Sequence, residues 1–135
     1  MINCKTIHTV SAKLLPLWDI TARFFIARIF WKSGLTKIDD WDATIWLFKK
    51  EYGMSFMPTL MAYLGTGVEL IAPVMLLFGI GTRLAALALF GLSVVIHITY
   101  PSFHEHYFWM LVCSAIALRG PEMLSIDYWW CKKKR

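Results

Sequence analysis

Four apolar stretches, joined by short polar or glycine-containing segments, most limit how this chain can fold. They cover about residues 15–35, 56–78, 84–100 and 103–118. Each approaches the ~20 residues that an α-helix needs to cross a bilayer. Of the 135 residues, 58% are hydrophobic and 17% charged, against ~45–50% and ~25% in soluble domains. A soluble chain this small cannot bury so much apolar surface. The sequence therefore predicts an all-α, polytopic membrane protein, a four-helix bundle in a single domain.

The first stretch is less apolar than the others, because it carries several charges, among them Asp19, Arg23 and Arg28. Asp19 and Arg23 are four residues apart and can pair along one helix face. Pro16 suits a helix start, where its missing N–H costs nothing. After this stretch, residues 36–55 interleave charged and aromatic side chains. This pattern predicts a short amphipathic helix between helices 1 and 2, lying on the membrane surface or covering the bundle.

Two connections carry helix-end signals. Gly79 or Gly81 can adopt the left-handed conformation that ends a helix, and Thr82 can cap the next one. The acidic residues of the 36–55 segment are typical of a solvated loop with helix-capping aspartates. Contact with a partner or a cation is the alternative. These acids are Asp39, Asp40 and Asp42.

Basic residues predict the orientation. With four spans both termini share a side, and eight Lys and Arg residues fall there: Lys5, Lys13, Arg83, Arg119, Lys132, Lys133, Lys134 and Arg135. The other side holds Lys37, Lys49 and Lys50. Because cytoplasmic loops carry the excess of positive charge, both termini are expected in the cytoplasm. The basic tail follows Trp129 and Trp130, an interfacial pattern. The net charge of +5 therefore indicates contact with the lipid bilayer, and no nucleic acid is expected as a partner.

An acid and a base inside the predicted spans form the first candidate site. Glu69 lies near the middle of the second span, and Pro73 frees the backbone carbonyl of Glu69 from its helical hydrogen bond. On antiparallel helices the depths of Arg28 and Glu69 differ by only about 6 Å at ~1.5 Å per residue. Such a pair predicts a proton-handling or polar ligand site, with Glu69 exchanging the proton and Arg28 holding its charge. A structural ion pair that fixes helix packing is the alternative.

Three histidines near the predicted outer face form the second candidate. His97, His104 and His106 have side chains that bind zinc, copper or haem iron. On an ideal helix His104 and His106 diverge by about 200°, so they converge only in an extended segment. The alternatives are solvated interfacial histidines, or His97 alone donating a hydrogen bond to a quinone oxygen. The three cysteines, Cys4, Cys113 and Cys131, form no CxxC pair and favour unpaired thiols.

The order of several motifs resembles the DoxX family of small four-helix membrane proteins. The first landmarks are Arg28, Ser33-Gly34 and Lys37, followed by Glu69 in the second span. The segment from Phe78 to Ala86, FGIGTRLAA, is similar to the glycine-Thr-Arg turn of the family. The segment from Arg119 to Asp127, RGPEMLSID, is similar to its closing segment.

The resemblance implies a four-helix bundle in the bacterial inner membrane. The family includes a membrane subunit of a thiosulfate:quinone oxidoreductase, members linked to thiol and oxidative stress, and eukaryotic relatives in cargo handling or receptor assembly. The resemblance therefore favours a redox-linked subunit in which Arg28, Glu69 and His97 hold a quinone. Haem, copper and zinc are the alternative cofactors. A non-enzymatic anchor or assembly factor for a partner protein, contacting it through residues 41–51 or the tail, is the second hypothesis. A metal-handling protein using the three histidines is the third.

Overall fold

The computed structural model describes residues 4–120 and 125–134, with side chains described from Ala12 onward. All regular structure within these ranges is helical, and they contain no strand. The helices are α1 (Cys4–Asp39), α2 (Trp41–Lys50), α3 (Pro58–Phe78), α4 (Thr82–Thr99), α5 (Glu105–Arg119) and α6 (Ile126–Lys133). The all-α prediction is confirmed for this part of the chain.

The core lies between the four longer helices. α3 packs between α1 and α4, α5 packs against α4 and α1, and α2 lies across α3 and the end of α1. Ile26 and Phe30 of α1 meet Leu76 of α3, Leu89 of α4 and Ile116 of α5 in one apolar cluster. The fold thus buries one side of each long helix and leaves an apolar outer side.

Two helices, α3 and α4, are long and apolar enough to cross a membrane. Their outer sides carry exposed residues such as Ile71 and Leu84, which are 63% and 71% exposed. α1 fails the same test because it carries several charges, and α5 fails because it has only 15 residues. These two helices are the candidate membrane spans of the described chain.

The N-terminal half of α1 departs from the prediction. The helix begins at Cys4, so Pro16 lies inside it and the predicted start at Pro16 is wrong. Proline removes one backbone hydrogen bond, the one to the carbonyl of Ala12. Ala12 is exposed, so water can hydrate that carbonyl and the helix continues.

The predicted amphipathic helix is confirmed as α2. Asp40 caps it, because the Asp40 carboxylate accepts a hydrogen bond from the Ala43 N–H at 3.0 Å. The buried Thr44 hydroxyl donates to the carbonyl of Lys37 at 2.8 Å. These two bonds hold α2 close against the end of α1, so that its apolar side faces α3.

The glycine turn between α3 and α4 is held by the C-terminal segment. Gly79 ends α3 with φ 67°, the left-handed conformation expected of it. Asp127, the second residue of α6, donates its N–H to the Gly79 carbonyl and accepts the Thr82 N–H with its carboxylate, both at 3.0 Å. The prediction that Thr82 caps α4 is therefore wrong. A carboxylate at a helix N-terminus also interacts favourably with the helix dipole, so Asp127 takes the role that the local hydroxyl was expected to fill.

A buried ion pair lies at the same end of the molecule. Arg23 Nε lies 2.7 Å from Asp19 Oδ2, as the four-residue spacing predicts. The Arg23 guanidinium also donates to the Gly120 carbonyl at 3.4 Å. α1 is thereby tied to the end of α5. Positions 121–124 of the closing motif lie outside the described residues.

Candidate functional site

The central polar contact is a buried ion pair between α1 and α3. Lys37 Nζ lies 2.9 Å from Glu69 Oε1 and 2.8 Å from Oε2, and it donates to the Ser33 hydroxyl at 2.9 Å. The Glu69 side chain is 2% exposed and the Lys37 side chain 12%. All three protons of the Lys37 ammonium are therefore engaged, and the Glu69 carboxylate keeps lone pairs for further donors.

Gly34 allows this pair to form. A Cβ at Gly34 would lie 2.7 Å from Leu70 Cδ2 and 3.3 Å from Glu69 Cβ. The absence of a side chain lets α1 and α3 approach at the level of Glu69. Helical side chains slope toward the N-terminus of their helix. Lys37, three residues beyond Gly34, therefore extends back toward the carboxylate.

The predicted contact between Arg28 and Glu69 is not formed. Arg28 lies six residues before Gly34, about 9 Å farther along the helix, and its side chain slopes away from Glu69. Arg28 is exposed beside a separate apolar groove, together with Trp31 and Pro73. Lys37 is therefore the basic partner of Glu69, in place of the predicted Arg28. The slope of helical side chains, together with the Ser33–Lys37 spacing, is the signal that would have identified it.

An apolar cavity of about 300 Å³ lies beside Glu69. This volume is close to the lower limit for ligand pockets in proteins, whose walls are mostly apolar and contain a few polar groups. Two such groups are Glu69 and Tyr52. The rest of the wall comes from α2, α3, α4 and the α2–α3 connection: Phe48, Met54, Met61, Leu64, Gly65, Val68, Ala88, Gly91, Leu92, Val95 and Ile96.

Aromatic rings of α2 and of the α2–α3 connection line part of this cavity. The Phe48 ring contacts Gly65, where a Cβ would lie 2.7 Å from Phe48 Cζ. The Phe48 and Tyr52 rings have centroids 4.9 Å apart. Burial, with smaller contributions from the charges of Glu69 and Glu51, raises the pKa of Tyr52 to about 12. The Tyr52 hydroxyl therefore keeps its proton at physiological pH and is available as a donor.

The histidines lie away from this cavity, between α4 and α5. The rings of His97 and His106 have centroids 6.2 Å apart. His106 is buried, whereas His104 is exposed and stacks on Tyr107. His104, the N-cap residue of α5, and His106 thus differ in burial, and His104 does not join His97 and His106 in a three-ligand group. The described residues hold no group of three His, Cys, Asp or Glu side chains placed to bind a metal ion, and His97 does not line the cavity beside Glu69.

Comparison with known proteins identifies the family. The DoxX family model matches residues 19–102, which is more than half of the chain. The chain belongs to the DoxX family. It is also 28% identical over 130 residues to a Bacillus subtilis (strain 168) protein named "Putative oxidoreductase CatD", covering 91% of this chain and 94% of that protein. No solved structure gives a significant match.

The motifs on which the DoxX resemblance rests come together in the fold. Ser33, Gly34, Lys37 and Glu69 meet in one contact between α1 and α3. The glycine-Thr-Arg turn and Asp127 of the closing segment meet at the end of α3. The spacing of these motifs thus reflects two packing contacts, one beside the cavity and one at the turn between α3 and α4, while Arg28 takes part in neither.

Two cysteine side chains are described by the structure, and they do not form a disulfide with each other. Cys113 is buried in the core and Cys131 is exposed on α6, and both are free. The Cys4 side chain lies outside the described residues. Among the side chains that the structure describes, the polar site beside the cavity contains no thiol.

Proposed function

We propose that this DoxX protein is a redox-linked subunit of the bacterial inner membrane that binds a quinone or quinol in the cavity beside Glu69. In this proposal α1, α3, α4 and α5 form a four-helix bundle that crosses the membrane, with both termini in the cytoplasm. The observation that carries the proposal is a buried carboxylate, fixed by Lys37, in the wall of an apolar cavity of ligand size.

The donor and acceptor groups favour this ligand class. A quinone presents carbonyl acceptors, and the Tyr52 hydroxyl is a donor that stays protonated. A quinol presents hydroxyl donors, and Glu69 is an acceptor with lone pairs that Lys37 does not use. The apolar wall suits the ring and its substituents. A bound quinone would take up two electrons from another redox subunit and two protons to become the quinol, and Glu69 would exchange one of those protons.

The surface of the helices supports the membrane placement. α3 and α4 expose apolar residues along their outer sides, and the cavity is lined largely by these two helices. A ligand that dissolves in the bilayer would enter between them without crossing water. The name of the Bacillus subtilis relative supports a redox role, and the family membership supports the membrane setting.

Quinone binding by the purified full chain in mild detergent tests the proposal. The readout is quenching of aromatic fluorescence by a short-chain quinone and by its quinol. Gly91 lines the cavity, and a Cβ there meets nothing within 4 Å. Gly91→Leu is therefore expected to fill the cavity without a clash and to weaken binding at least tenfold.

Gly67→Leu is the matched control, since Gly67 has equally open space and lies outside this cavity. It is expected to bind as the wild type does. Glu69→Gln is expected to weaken quinol binding more than quinone binding, because the carboxylate accepts the quinol proton. Equal affinities of Gly91→Leu and the wild type would overturn the proposed site.

A second candidate function is the anchoring of a partner protein or redox complex. The observation that favours it is the exposure of large apolar residues on α2 and the α2–α3 connection, where Trp46 is 56% and Phe56 91% exposed. A partner that co-purifies with the wild type and is lost in Phe56→Ser would support this function. In that case the Gly91→Leu variant would keep the partner.

A further inference from the structure

We propose that His97 and His106 form a binding site for a monovalent copper ion. The site lies between α4 and α5, apart from the cavity beside Glu69. The proposal is therefore independent of quinone binding.

Two buried nitrogen atoms carry the proposal. Among the described residues, Nδ1 of His97 and Nδ1 of His106 are both buried and have no hydrogen-bond partner. Buried polar atoms nearly always have a partner, and an orphaned one calls for an explanation such as an ion. Here two orphaned imidazole nitrogens occur on neighbouring rings of two different helices. The chance burial of a single histidine would not explain why two such rings are neighbours, or why both Nδ1 atoms lack a hydrogen-bond partner.

The spacing of the rings is compatible with one ion between them. A metal ion lies about 2 Å from an imidazole nitrogen, so two nitrogens bound in line are about 4 Å apart. The ring centroids are 6.2 Å apart. This separation leaves room for the ion, because each bound nitrogen lies between its own ring centre and the metal.

The number and charge of the ligands select the ion. Zinc in structural sites takes four ligands, and the described residues offer no third His, Cys, Asp or Glu at this position. Both ligands are neutral imidazoles, and Glu105, the carboxylate adjacent to His106, is exposed. The cost of burying an ion rises with the square of its charge. A monovalent, two-coordinate ion is therefore favoured, and copper is a metal that imidazole binds well.

The surroundings favour the same ion. The Trp109 ring lies 4.8 Å from the His106 ring, and the Tyr107 ring lies 4.3 Å from the His97 ring, between centroids. Aromatic rings stabilise nearby cations in a dry environment. His97 is only half-buried and lies near the end of α4, which gives an ion a path to the site.

The test is titration of the purified full chain with Cu(I) under anaerobic conditions, against a competing chelator. We expect one copper ion per chain, and X-ray absorption of the complex should show two nitrogen ligands. His97→Gln and His106→Gln should each weaken binding at least tenfold. His104→Gln is the matched control and should bind within twofold of the wild type, because His104 is exposed and does not form a three-ligand group with the pair.

Three results would overturn the proposal. One is that His104→Gln weakens Cu(I) binding as much as His97→Gln does. Another is that the wild type binds Zn(II) as tightly as Cu(I). The third is a double variant, with both histidines replaced, that binds copper as the wild type does. If His106→Gln fails to fold, His97→Gln and the ligand count of the wild-type complex decide the question. Glu69→Gln should leave copper binding unchanged, which separates this test from that of the quinone site.

Discussion

Removing Lys37 should leave a charged carboxylate buried without a partner. Glu69 is 2% exposed and accepts two hydrogen bonds from Lys37, at 2.8 and 2.9 Å. Breaking one side of a buried ion pair costs about 3–5 kcal/mol. Lys37 itself is slightly exposed, so we expect Lys37→Met to lower the free energy of unfolding by about 3 kcal/mol. For a chain of this size the Tm should fall by about 10 °C.

Thermal unfolding of the purified protein in detergent, followed by circular dichroism, measures this effect. Lys32→Met is the matched control on the same helix. Lys32 is exposed, so its replacement should change stability by no more than about 0.5 kcal/mol. Replacing both partners, in Lys37→Met with Glu69→Leu, should recover most of the loss because no charge remains buried. Two results would refute this reasoning. One is a Lys37→Met protein as stable as the wild type. The other is a double variant, Lys37→Met with Glu69→Leu, that is no more stable than Lys37→Met alone.

Three further predictions concern the turn and the cavity. Asp127→Ala removes the carboxylate that caps α4 and should cost about 1 kcal/mol. Asp127→Asn should keep most of that stability, and equal melting of the Ala variant and the wild type would contradict the cap. Gly79→Ala should cost more than the Asp127 change, because φ is 67° and the new Cβ would clash with Ser125. A purified Gly79→Ala protein of wild-type Tm would contradict that packing. Tyr52 should titrate near pH 12, since its pKa is raised, so its contribution to stability is present below pH 10 and lost as the pH rises through 12. The phenolate absorbance difference between the wild type and Tyr52→Phe measures this, and a difference that emerges near pH 10 would contradict it.

The sequence predicted α2 to α5 because their signals are local, but it did not predict α6. Apolar stretches and the glycine turn placed α3 and α4 within two residues of their observed ends. The start of α1 was missed because Pro16 is tolerated within an exposed helical segment. The cap of α4 was also missed, since it comes from Asp127, 45 positions away.

The candidate site was predicted in part. Glu69 was singled out because an acid in an apolar span is costly and needs a reason. The basic partner of Glu69 was not found, because depths estimated along two ideal helices do not give the actual register of α1 against α3. Gly34 sets that register by letting α1 approach α3, and the approach brings Lys37 to Glu69 in place of Arg28. Tyr52 was missed because it lies in an irregular connection whose path depends on how α2 packs.

Photolabelling with a light-activated quinone would test the central proposal most directly. The full chain in lipid vesicles would be labelled, digested and analysed by mass spectrometry to locate the modified residues. We expect labels on the cavity wall, at residues 52–54, 61–69 and 88–96, and their loss in Gly91→Leu but not in Gly67→Leu. Labels confined to the groove beside Arg28, or labels unchanged in Gly91→Leu, would contradict a quinone site beside Glu69.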